Sequence, residues 1–198
     1  MFKVNKVEEP QFFSDFKRKH NLKSWKEYEN YIDIKRKLRE HTLLEEQYLC
    51  CPYCEVELDI ENSETEHIRP KDRFPNEFQN YFNLITACKN SNRCGNKKGN
   101  QWSEKFINPV EEDPMKYFTY DIKTGEIKPK FKSGLEYEKA IETIKILNLN
   151  EIGLKGRRRK FILENIYNLD YLEIDGVFRT LREFLKDNKE ILIKIWRK

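Results

Sequence analysis

No stretch of this 198-residue chain approaches the ~20 consecutive apolar residues that a membrane-spanning helix requires. The opening MFKVNKVEEP lacks the apolar segment of a secretory signal. Together these absences predict a cytoplasmic protein. Surplus charge is also scarce: 38 Lys and Arg face 34 Asp and Glu, for a formal net charge of +4. Any grip on a polyanion must then come from a local basic surface and not from the field of the whole molecule. There is no internal repeat and no low-complexity linker, which excludes a solenoid built of stacked units. Histidine is limited to His20, His41 and His67. His20 sits among Lys17, Arg18 and Lys19 and reads as solvated surface, while His41 precedes a short helical stretch and reads as structural.

What is present is the composition of a folded domain, with 38% hydrophobic and 36% charged residues. Five cysteines fall between positions 50 and 94. In a reducing compartment such a cluster points to metal and not to disulfides. Cys51 and Cys54 form a C-x2-C pair, and Cys88 and Cys94 a C-x5-C pair. Two short-spaced pairs brought together by a folded insert supply the four thiolates of a tetrahedral structural zinc site. Cys50 is the odd one, because Cys51 keeps the two-residue spacing that a tight Pro52-Tyr53 turn requires.

Periodicity outlines the elements. Residues 11–39 read as helical through Phe12, Phe13, Phe16, Trp25, Tyr28, Tyr31, Ile32 and Leu38, with a new start where Ser24 and Glu27 form a capping-box pattern. A short helix over 42–48 follows. Residues 55–60 alternate polar and apolar, the period of a half-buried strand, and residues 65–68 can return beside them as a hairpin. Phe78, Tyr81, Phe82 and Ile85 recur at helix-like spacing over 78–87, and residues 95–102 suggest a short helix. Further on, 117–122 and 126–130 flank Lys123-Thr124-Gly125 as a second hairpin, with glycine at the left-handed turn position. Ser133 and Glu136 form a capping box before a helix, Gly153 and Gly156 mark the next boundary, and residues 177–196 form a last helical region. The run Arg157-Arg158-Arg159-Lys160 reads as a solvated face, since successive helix positions turn by ~100°.

With four thiolates filling a zinc shell, His67 is spare, and Glu66 beside it makes the dipeptide a candidate for acid–base work near neutral pH. The pattern Cys-x2-Cys, Glu-His-Ile-x-Pro, Asn-Leu, then Cys with an Asn and a Lys-Gly resembles the zinc-stapled HNH endonucleases of the ββα-metal type, over residues 51–99. More narrowly, Cys-Pro-Tyr-Cys-Glu, Glu-His-Ile-Arg-Pro-Lys, Cys-Gly-Asn-Lys-Lys-Gly, Asn108-Pro109 and Thr124-Gly125-Glu126-Ile127 resemble the PtuB-like HNH proteins of Septu and retron-associated anti-phage systems. Those proteins work beside an ATPase, PtuA.

The resemblance implies an α+β fold: a zinc-stapled ββα core over 50–108, a helical N-terminal region over 1–49, and a β-hairpin with a helical C-terminal region over 109–198. It implies His67 as the general base, Asn83 as the residue that holds it, Glu66 as a ligand of a catalytic cation such as Mg²⁺, and Asn96 as the best match to the other cation ligand. Gly95 stands where the commoner pattern has that ligand, which leaves Asn92 and Asn100 as competitors. Lys71, Arg73, Arg93, Lys97 and Lys98 cluster around this centre as phosphate-gripping residues would. Nucleic acid and a PtuA-like ATPase are the implied partners. The rival reading from a different class is a zinc-built nucleic-acid-binding or adaptor module without catalysis.

Overall fold

The N-terminal aromatics build a small core of their own. In the structure, a computed structural model that describes residues 1–196, helices α1 (Gln11–Lys19) and α2 (Ile32–Glu45) enclose a 3-10 turn over Trp25–Asn30. Phe13, Tyr28 and Leu38 from these segments pack with Phe78, Tyr81 and Leu84. The helical stretch expected over 11–39 is therefore broken twice. Ser24 is extended, its hydroxyl bonds Oε1 of Glu27, and the same Oε1 accepts from the backbone of Lys23, so the expected capping box opens only the 3-10 turn. α2 then runs through His41, which lies within a helix and not ahead of one.

Strands β1 (Ser63–His67) and β2 (Leu84–Cys88) pair antiparallel, with Glu66 opposite Ile85 and His67 opposite Leu84. A short helix, α3 (Cys94–Lys98), follows directly. Two expectations change here. Residues 55–60 make only a single bridge, Cys50 to Glu57, and no strand. The reason is Glu55: it turns the backbone to a φ of 62° and buries its carboxylate under the Thr180 N–H at 2.7 Å and the Thr180 hydroxyl at 2.6 Å. Residues 78–87 are a 3-10 turn, Tyr81–Asn83, leading into β2, because every residue of β2 is buried and the apolar run serves a strand.

The second hairpin forms as expected from β3 (Phe118–Tyr120) and β4 (Ile127–Pro129). Gly125 in its turn has a φ of 74°, and a Cβ there would lie 2.3 Å from the carbonyl oxygen of Lys155. That oxygen belongs to α5 (Ile152–Asn165), which Glu151 caps by accepting from Gly153 N–H at 2.7 Å and Leu154 N–H at 2.9 Å. Gly153 thus sits in the first turn of α5, at the expected boundary, whereas Gly156 lies inside the helix. Ahead of it, α4 (Leu135–Leu147) begins after Gly134, and no side chain caps it. Within the basic run, Arg158 is buried and donates to the Leu149 carbonyl at 2.8 Å, so that run is not a uniformly solvated face. The last helical region is two helices, α6 (Arg179–Asp187) and α7 (Lys189–Trp196). Leu147, Leu154, Ile162, Leu181 and Leu185 join the cysteine frame in the larger core. Among the described residues no helix is long and apolar enough to cross a membrane.

Candidate active site and metal centre

Four sulfurs converge where the sequence pairs them. Cys51 and Cys54 flank a turn and Cys88 ends β2, while Cys94 opens α3 with a left-handed φ of 58°. Their Sγ atoms lie within 4.8 Å of one another, with Cys51 to Cys94 at 3.9 Å and Cys54 to Cys88 at 3.8 Å, and all four residues are buried. Such a cluster could hold a metal ion. Burial pushes the Cys51 and Cys94 thiols well up, while hydrogen bonding from the Cys51 thiol holds Cys54 well down and lowers Cys88. Four thiols sharing one buried site cannot all ionise together without a cation among them. Cys50 is buried outside this group, and burial pushes its thiol up to about 12.

At the other end of β1, His67 is 5% exposed and its Nε2 lies 2.9 Å from the carbonyl oxygen of Phe78. A carbonyl only accepts, so Nε2 carries the proton and the Nδ1 lone pair is left as the basic position. Burial draws the imidazole pKa down to about 4, which keeps the ring neutral at pH 7. Trp25 meets the ring edge-on, 4.7 Å between centroids at 86°.

The Asn83 side chain makes no hydrogen bond to His67. Its Nδ2 donates to the carbonyls of Arg69 at 3.1 Å and Glu77 at 3.2 Å, and its Oδ1 accepts from the Arg69 N–H at 2.8 Å. It thereby fixes the backbone on both sides of the loop, including the residue just before the carbonyl that anchors the imidazole.

Glu66 is the one carboxylate adjoining this imidazole in the chain. Its side chain is 12% exposed, and Oε1 faces the Lys98 ammonium at 2.9 Å. Burial pushes its carboxyl above the ordinary range, against the opposing pull of Lys98. Lys98 also donates to the His67 carbonyl at 3.0 Å and is itself buried. On its other side the Glu66 carboxylate packs onto Gly95.

A pocket of about 200 Å³ opens over these groups, lined by Trp25, Glu66, His67, Lys71, Asn96 and Asn100 among others. Hard oxygen donors that could hold a cation therefore share one pocket. Asn100 is partly engaged, donating to Asp72 at 2.7 Å, whereas Asn92 lies elsewhere, its carbonyl bonded by Asn148. Of the five basic residues grouped by sequence, Lys71 and Lys98 line the pocket. Arg73 is exposed and bonds the Trp102 carbonyl at 3.1 Å, and Lys97 is exposed on α3 outside the lining. Lys98 pairs with Glu66 at 2.9 Å, and Arg93 is buried against Glu151 at 3.3 Å, so both already face a carboxylate. Sequence reasoning misses Trp25 as part of this site, because no motif links a helical aromatic to a histidine 42 positions later (67 − 25).

No family model matches the chain. Curated relatives do. A Bacillus thuringiensis protein named Septu protein PtuB is 38% identical over 117 residues, which span 56% of this chain and 40% of that protein. A candidate HNH endonuclease of retron Vc95 from Vibrio cholerae is 34% identical over 150 residues, covering 71% of this chain and 70% of its own length. A similarly named protein of retron Ec83 from Escherichia coli is 27% identical over 205 residues, 82% of this chain and 79% of the relative.

Proposed function

The chain belongs to the HNH endonuclease family and resembles its PtuB-like members, and from that premise we propose that it hydrolyses nucleic-acid phosphodiester bonds at the pocket beside Trp25. The observation that carries this reading is the state of His67: buried, neutral, and anchored through Nε2 to the Phe78 carbonyl. Nδ1 is then the atom that takes a proton from water as the water oxygen bonds to phosphorus and the bond to the leaving 3′ oxygen breaks. Asn83 is a positioning residue that fixes the loop carrying the anchoring carbonyl.

Glu66 and Asn96 would hold a divalent cation such as Mg²⁺, since a hard cation seeks oxygen ligands and keeps several waters. When bound, that ion supplies positive charge at the scissile phosphate and the leaving oxygen. Glu66 presents a carboxylate pre-set by Lys98 and Gly95. Lys71 is placed to meet the substrate backbone.

Zinc suits the cysteine cluster. Four thiolates at the usual Zn–S distance of ~2.3 Å form a tetrahedron with edges of ~3.8 Å, and the two closest sulfur pairs lie at 3.9 and 3.8 Å. β1, β2 and α3, stapled by this site within residues 50–108, correspond to a ββα nuclease core. The names of the relatives support a role in anti-phage defence beside a PtuA-like ATPase; in this reading the C-terminal helices supply the contact surface.

The test is His67→Ala in the purified chain, alone and with the ATPase, assayed on DNA and RNA at fixed zinc content. Loss of cleavage with retained fold supports the assignment. Undiminished cleavage overturns it, and a wild type that only binds nucleic acid supports the non-catalytic module instead.

A further inference from the structure

Beside the His67 pocket lies a larger groove of about 690 Å³, and the two share Trp25, Glu64, Thr65 and Lys71 as a common wall. The groove gathers cations from separate parts of the chain: Lys26 from the 3-10 turn, Lys35 and Arg39 from α2, Lys71 from the loop after β1, and Lys89 just past β2. Glu29, Glu64 and Asp72 line it as well. Even so, among the described residues none of the five cations forms a salt bridge with a carboxylate. Two polar atoms of the lining are also left over: Nε of Arg39 and Oγ1 of Thr65 are shielded from solvent with no hydrogen-bond partner. Leaving such atoms unpaired is costly. An anion lying in the groove would meet the accessible N–H groups of this guanidinium in the charge-assisted geometry that arginine offers phosphate.

We propose that this groove is a phosphate track, in which Lys26, Lys35, Arg39 and Lys89 hold the backbone of a nucleic-acid strand and lead it past Trp25 and Lys71 to His67. The inference rests on the nuclease reading for the identity of the polyanion. It adds that the N-terminal helices are one wall of the substrate site and not packing alone. Contacts of this kind position a backbone without reading bases, so the track imposes no sequence preference.

The test measures binding of labelled 20-nucleotide DNA, its duplex and the matching RNA across a salt series, with His67→Ala as the uncleaving parent. The variant K26A/K35A/K89A changes no fully buried residue. It should bind at least about tenfold more weakly, with a log–log salt slope shallower by about 2 to 3 units, as expected for three lost phosphate contacts. K26R/K35R/K89R should restore both, and R157A/R159A/K160A on α5 should bind as the parent does. Unchanged binding and slope in the first variant, loss only in the α5 variant, or no binding by the parent would each overturn the track. Cleavage by the wild type is scored separately. A chain that cuts through His67 yet binds equally without the three lysines sinks the track alone, and one that binds through them without cutting sinks only the catalytic reading.

Discussion

A methyl group added to Gly95 would lie 2.5 Å from Oε2 of Glu66. The glycine is required there by close approach, and the atom it meets is the far end of a flexible side chain. Gly95→Ala should therefore move the Glu66 carboxylate and leave the fold standing. The expected result is full zinc content and a melting temperature lowered no further than Lys98→Met lowers it, with loss of divalent-cation-dependent cleavage, measured on one preparation. A variant that cleaves normally would show that Glu66 need not sit where it does.

Lys98 and Glu66 form a buried ion pair, and breaking one by removing a single partner leaves an uncompensated charge. Lys98→Met should cost about 3–5 kcal/mol in urea unfolding. E66Q/K98M should recover part of that loss, because the stranded carboxylate is gone. With Glu66→Gln measured alone to complete the cycle, a double variant whose loss equals the sum of the two single losses would mean that the pair is not coupled.

Asn83 bonds the backbone around His67 and not the imidazole itself, so Asn83→Ala should lower kcat while changing KM little. A fall of about 10- to 100-fold matches the loss of a group that orients a functional side chain. Asn83→Asp keeps the acceptor for Arg69 N–H but not the donor to Glu77, and should fall between the two. Imidazole NMR gives the readout a general loss of stability would not: the Nε2 proton of His67 should lose its slow exchange in the alanine variant.

Thiol labelling separates the five cysteines. In the zinc-loaded protein all should react slowly, four as metal thiolates and Cys50 because burial holds its thiol up to about 12. Chelation should free four thiols from the metal and unfold the chain, so that all five cysteines, Cys50 included, become reactive, since structural zinc is bound with an apparent free energy of about 10–16 kcal/mol that is also folding free energy. Cys50→Ala should keep its zinc, whereas Cys51→Ser should lose it. A folded, zinc-free C51S protein would remove the metal from the scaffold.

The cysteine frame was legible because its signal is local spacing, and Cys51, Cys54, Cys88 and Cys94 do converge. The second hairpin was legible for the same reason, since Gly125 supplies its turn. Residues 55–60 misled because alternation describes a strand only where partners exist, and Glu55 is claimed by Thr180, 125 positions away. Residues 78–87 misled because a short apolar run fits helix and strand alike. Around the site, Lys98 and Arg93 looked like phosphate contacts by charge, and only the fold gives them Glu66 and Glu151. Trp25 was invisible because its meeting with His67 is wholly tertiary.

The amide of Asn83 clasps Arg69 and Glu77 across the neck of the segment between them. Residues beyond that neck, at the tip around Arg73 and Phe74, can therefore lengthen or diversify while the carbonyl that anchors the imidazole stays in place. Doubling such a loop costs only about 0.6 kcal/mol of closure entropy. Descendants of this chain can thus vary the part that meets the target while inheriting the chemistry unchanged.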